Sequence, residues 1–171
     1  MALESLIRFP NAWSAGAPRF GLHLFEGRLT ITDMDRMQQV GDLWRARNPG
    51  RLVEMVVVFP SSARLSDDER KRLVQLVAHR ERDRAASATV ILAEGMQGAM
   101  QRSMLTALNL MRRPPHPAKV FSTVADGAAF LAPHYAELRE RGAPRLDLAS
   151  AAEEECESFR RRPGAGSLVP R

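Results

Sequence analysis

The sequence predicts an α/β fold: a mostly parallel mixed sheet of about five strands with crossover helices, in the order β-β-α-β-α-β-α-β-α. Three observations carry this. Two nearly continuous apolar runs, Leu52 to Phe59 and Ala88 to Ala93, read as strands buried on both faces, as in parallel sheets. Helical patterns with their own start and stop signals separate them. A short alternating stretch near the start, followed by Glu26-Gly27, reads as an opening hairpin.

The elements follow in order. Residues 1 to 18 contain Pro10, Gly16 and Pro18 and read as an irregular arm, with Leu6, Ile7, Phe9 and Trp13 available for packing. Phe20 to Phe25 alternates as a strand, and Leu29 to Thr32 reads as its hairpin partner. Thr32 then caps a helix, with Asp33 and Asp35 where the helix dipole favours negative charge. Met34, Met37, Val40 and Trp44 keep helical spacing until Asn48-Pro49-Gly50.

After the first buried strand, Ser66-Asp67-Asp68-Glu69 is a capping box, and Leu73, Val74, Leu76 and Val77 face inward to about Arg82. Gly95 ends the second buried strand. Met96, Met100, Met104, Ala107, Leu108 and Met111 then line one helix face, stopped by Arg113-Pro114-Pro115. Lys119 to Thr123 is a short strand. Thr123 to Asp126 caps a last helix that Pro133 bends or restarts and Gly142 ends.

This assigns 1–18 to an N-terminal arm, 19–142 to the α/β domain and 143–163 to a tail that is helical if it docks. GSLVPR at 166 to 171 matches a protease-cleavage tag remnant, so 164–171 is set aside. Leu146, Leu148 and Phe159 are the tail's large apolar groups. They must rest on the domain or on a second copy, and the second copy is favoured because Gly142 and Pro144 free the tail to swing.

Length and composition narrow the function classes. The chain has 171 residues, 44% of them hydrophobic, which suits one domain with a real core. The apolar runs are strand-length, so membrane insertion is not expected. MALESLIRF lacks the pattern of a secretory signal, and cytoplasm is the expected compartment. The single Cys156 excludes an internal disulfide and a cysteine-rich zinc site. The net charge of +5 raises nucleic acid, yet acids are interleaved with the arginines. Arg70-Lys71-Arg72 with His79, Arg80, Arg82 and Arg84 lacks aromatic partners for base stacking, aromatics being 6% of the chain. Nucleic acid is therefore an unfavoured partner.

Three segments carry a family resemblance: PGRLVEMVVVFP, ATVILAEGMQGAMQRSMLTALNLMRRP and KVFSTVADGAAFL. In element order and apolar pattern, residues 20 to 140 resemble the SpoIIAA-like fold, which includes STAS domains and anti-sigma-factor antagonists, and in particular its small bacterial members. The resemblance implies a regulatory module working through protein contact. In the antagonists a serine after the third strand, preceded by Asp, is phosphorylated by a partner kinase. Ser61 and Ser62 occupy the corresponding loop. Pro60 stands where the Asp would be, and the helix cap falls later, at Ser66. Phosphate near Asp67, Asp68 and Glu69 would meet like charge. Ser61-Ser62 therefore reads as a turn, with the switch as the alternative.

No motif for chemistry stands out. His23, His79, His116 and His134 lack metal-ligand spacing. No G-x-S-x-G occurs, and Ser103 lies mid-helix. Gly95-Met96-Gln97-Gly98 is a candidate anion-binding turn, the plainer reading being a strand-to-helix connection. The methionine stripe reads first as core packing and, alternatively, as a pliable binding surface. The expectation is a non-enzymatic module without cofactor, bound to a protein partner or to itself as a homodimer. The candidate surface is Arg72, Arg80, Met96, Met100 and Phe159. A small-molecule or lipid-binding domain is the alternative.

Overall fold

The computed structural model describes residues 2–61, 63–139 and 145–162. Six strands form one mixed sheet in chain order: β1 (Glu4–Arg8), β2 (Ala12–Ala17), β3 (Phe20–Glu26), β4 (Leu52–Phe59), β5 (Arg84–Ile91) and β6 (Ala118–Phe121). The first three are antiparallel, and β3 through β6 are parallel. Every parallel crossover steps the same way across the sheet. Right-handed connections therefore place α1 (Ile31–Arg47), α2 (Asp67–Arg80) and α3 (Gly95–Arg112) on one face. The other face is covered by α4 (Val124–Leu138) and α5 (Leu148–Arg160).

Strand alternation fills both sides. Phe20, Leu22 and Leu24 with Val53, Met55, Val57, Ala86, Ala88 and Val90 meet Leu131, Ala152 and Phe159 in the larger core. On the other face a smaller cluster joins Ala12, Leu29, Met34, Met37 and Leu76. The expected central pair, β4 and β5, is adjacent, parallel and interior. The second strand begins earlier than its apolar run, at Arg84.

The expected irregular arm holds two strands. All six residues of β2 are buried. The segment AWSAGA shows no alternation because it is enclosed on both faces, and Gly16 leaves room for the Trp44 ring, which an added Cβ would approach to 2.8 Å. This hairpin partner replaces the one expected at Leu29 to Thr32. Thr30, two residues before the expected cap, caps α1: its hydroxyl accepts from the Asp33 amide at 3.2 Å, and the Asp33 carboxylate accepts from the Thr30 amide at 3.1 Å. Leu29 then packs with Met34 in the smaller core as a hydrophobic staple, which a strand at 29–32 would forbid.

The tail docks on its own domain. Asp147 caps α5 by accepting from the Ala149 and Ser150 amides at 3.1 and 3.2 Å. Leu146, Leu148 and Phe159 are buried. The Phe159 ring meets Trp13 edge-on at 5.2 Å and Phe59 at 4.9 Å, with the Arg162 guanidinium 3.6 Å from its centroid. Arg162 also pairs with Glu26. Burying that ring contributes about 1.5–3 kcal/mol, enough to hold a short helix that is marginal alone. The helix end expected at Gly142 lies outside the described residues; α4 ends at Leu138, with Pro133 inside it.

Candidate functional site

Helix α3 is turned inside out. Met96, Met100, Met104, Leu110 and Met111 are 59–89% exposed, so the stripe does not pack against the sheet as first read. The side facing the sheet carries Gly98 and Arg102. An added Cβ on Gly98 would come within 1.8 Å of the Ala93 carbonyl oxygen, so only glycine permits this approach. Arg102 donates to the carbonyls of Ile91 (3.2 Å) and Ala93 (2.9 Å), satisfying the frayed end of β5. These polar and backbone contacts fix the helix rotation, and the methionines are left pointing to solvent.

They also explain the two glycines of the 95–98 turn. Gly95 has a φ of +63°, and Gly98 lets the helix start against the strand end. The helix begins after Glu94, whose carboxylate makes no capping bond. The turn is accounted for as a strand-to-helix connection.

Beneath α1 lies a buried polar chain that sequence reading did not assemble. Ser14 Oγ is 2.8 Å from His23 Nδ1, His23 Nε2 is 3.0 Å from Glu54 Oε1, and Glu54 pairs with Arg84. A register shift between β4 and β5, where Leu52 faces Arg84 and Val53 faces Ala86, adds a residue that turns Arg84 toward Glu54. Nearby, Ser87 Oγ lies 3.0 Å from His116 Nε2. Burial, and next the Arg84 charge, push the His116 pKa below its ordinary value. Among the described residues, Arg84 Nε and His116 Nδ1 are buried without a hydrogen-bond partner. The order hydroxyl, imidazole, carboxylate matches acyl-transfer sites. Ser14, however, is 5% exposed on a strand paired on both sides, where no substrate carbonyl reaches it. The available signal was Glu54 interrupting the run LVEMVVVF: a buried carboxylate requires a partner.

A groove of about 430 Å³ runs between α4 and the start of α5, floored by Ala128, Ala132 and Tyr135 and flanked by Arg145 and Leu148. Among the described residues, no cluster of three or more His, Cys, Asp or Glu could hold a metal ion, and no helix is long and apolar enough to cross a membrane.

No protein-family model and no curated protein matches the chain. Among solved structures, it is similar to an uncharacterised protein of the DUF3478 family from Shewanella loihica PV-4, described as having a SpoIIAA-like fold. The TM-score is 0.54 at 16% identity, over 76% of this chain and 92% of the other. This chain has a SpoIIAA-like fold.

Within that SpoIIAA-like frame, Ser61 lies in the loop between β4 and α2. Ser61 Oγ accepts from the Ala63 amide at 3.1 Å and sits close over Gly27; Ser62 lies outside the described residues. The following helix is capped by Ser66, whose hydroxyl accepts from the Glu69 amide at 3.3 Å while its own amide donates to the Glu69 carboxylate at 2.7 Å. Arg28 donates to the same carboxylate at 2.7 Å. These bonds pull the Glu69 pKa down, the Ser66 amide most.

The remaining candidates separate. Met96 and Met100 share the exposed face of α3. Arg72 is engaged between α2 and α1, donating to Asp35 at 2.7 Å and to Gln38 at 2.7 Å, and so is not a free surface cation. The Arg80 side chain lies outside the described residues. Phe159, expected on the interaction surface, is instead fully buried in the chain's own core.

Proposed function

We propose that this chain is a non-enzymatic regulatory module that works through protein contact, with the outer face of α3 as its contact surface. One observation carries the reading: five large apolar side chains stand exposed along one helix while arginine and glycine face the sheet. Such a patch is on the order of several hundred Å², the size that marks interaction sites on soluble proteins. Methionine suits it, being flexible and polarizable enough to fit an uneven partner. The SpoIIAA-like fold supports the reading by resemblance to domains that act through partners.

The test is site-specific photocrosslinking in cells. A photoreactive residue at Met100 should give discrete protein adducts, whereas one at Glu137, exposed on the opposite face, should not. Equal labelling from both positions, or no protein adduct from Met100, would count against the contact face.

A second reading, small-molecule binding, is supported by the groove between α4 and α5. It expects a non-covalent adduct in native mass spectrometry that is lost when Ala128→Phe fills the floor.

A further inference from the structure

The outward face of α3 has a pattern of its own. Met96, Met100, Ser103, Ala107 and Leu110 recur at spacings of four and three, the seam by which one helix packs along another. The seam is also a palindrome in size about Leu105. Met100 stands five residues before it and Leu110 five after; Ser103 stands two before and Ala107 two after. Large groups therefore lie at both ends of the seam and small ones at its middle. Met104 and Met111 flank the seam on one side, and Ala99 and Thr106 on the other. Ser103, Ala107, Ala99 and Thr106 are all exposed.

Charge follows the same symmetry. Glu94 precedes the helix, Arg113 follows it, and no acidic residue lies within it. An antiparallel neighbour of identical sequence sets Glu94 of each helix beside the Arg113 end of the other. It also lays Met100 on Leu110 and Ser103 on Ala107, where small side chains allow the backbones to approach. A twofold interface demands self-complementarity of this kind, because each residue meets its partner's image across the axis.

We infer that α3 is a homodimer interface, in which two copies of the chain pair through antiparallel α3 helices about a twofold axis near Leu105. This rests on reading α3 as the contact face and names its partner. The length suits a continuous seam: an 18-residue helix is about 27 Å long. Pairing also covers a surface that every copy would otherwise present to water.

The full chain is measured by light scattering and sedimentation across a concentration series. The expected particle has twice the 19.0 kDa chain mass. Met100→Glu, and independently Leu110→Glu, should return it to single-chain mass with the far-UV circular dichroism of the folded chain unchanged, since both side chains are exposed. Register is tested by mild oxidation. An equimolar mixture of Ser103→Cys and Ala107→Cys chains should give a covalent dimer. Met96→Cys alone should not, because the axis sets its two copies at opposite ends. Cys156 is buried and does not compete. A chain that stays at single mass at every concentration overturns the inference, as does a dimer that survives both glutamate variants. If the chain is single yet Met100 crosslinks a different protein, self-pairing falls and the contact-face reading stands. If the chain is single and the seam instead binds phosphatidylcholine vesicles, both fall.

Discussion

His23 Nε2 lies 3.0 Å from Glu54 Oε1, and the same carboxylate closes on Arg84. Three strands thus meet through polar groups inside the sheet. Removing one member leaves the others charged or unpaired in low dielectric.

Glu54→Leu is therefore expected to cost about 3–5 kcal/mol, because the Arg84 guanidinium keeps its burial and loses its counter-charge. Replacing both, as Glu54→Leu with Arg84→Met, should recover most of that loss. Urea unfolding of the two variants decides it; a double variant no more stable than the single would mean the carboxylate has another indispensable partner.

His116 makes stability depend on pH. Its folded pKa lies below the ordinary 6.5, chiefly through burial and next through Arg84, with Arg51 adding to the fall while Glu81 and Glu54 oppose it. The unfolded chain thus binds the proton more readily. Stability from this group is fully present above pH 6.5 and is lost as pH falls through that value toward the folded pKa. Urea midpoints should drop on acidification from neutral pH, and His116→Gln should flatten the drop. A wild-type chain that gains stability over that interval would reverse the assignment.

The parallel centre of the sheet was legible because Val-rich runs announce burial on both faces and capping boxes announce helix starts. β2 was not, since AWSAGA is enclosed all round and built of small residues that show no period. The Thr30 cap was misplaced by two residues because Leu29 and Ile31 mimic a strand when only alternation is read. In α3 the stripe was visible in sequence but its direction was not. Direction is set by Gly98 meeting the Ala93 carbonyl and by Arg102 closing the end of β5, and neither contact leaves a periodic trace. The polar chain from Ser14 to Arg84 joins residues far apart in sequence, so only the lone Glu54 pointed to it.

Ser66 should matter to stability and Ser61 should not. Ser66→Ala removes a reciprocal cap and is expected to cost about 1 kcal/mol. Ser61→Ala removes one bond in an exposed turn and should stay within about 0.5 kcal/mol. Equal shifts in urea melts would contradict the cap. A kinase-dependent mobility shift abolished by Ser61→Ala would restore the switch.

The docking of α5 can be followed through its own cysteine. Cys156 is buried against the larger core, and that burial pushes its thiol pKa up to about 12. Reactivity requires the thiolate, so in the native chain the sulfur should ignore thiol reagents at neutral pH and react in urea. Labelling then reports how often α5 lifts from the sheet. Phe159 sits three residues on, wedged between Trp13 and Phe59. Phe159→Ala leaves a cavity at that junction, and large-to-small aromatic changes in cores cost about 3–5 kcal/mol. The variant should label many-fold faster and melt at a lower temperature, and a chain ending at Arg139 should melt lower still. If Cys156 labels at the rate of a free thiol in the native chain, α5 is not held on the domain. If Phe159→Ala lowers the melt without faster labelling, the ring supports the core while another contact, the pairing of Arg162 with Glu26, keeps the helix down.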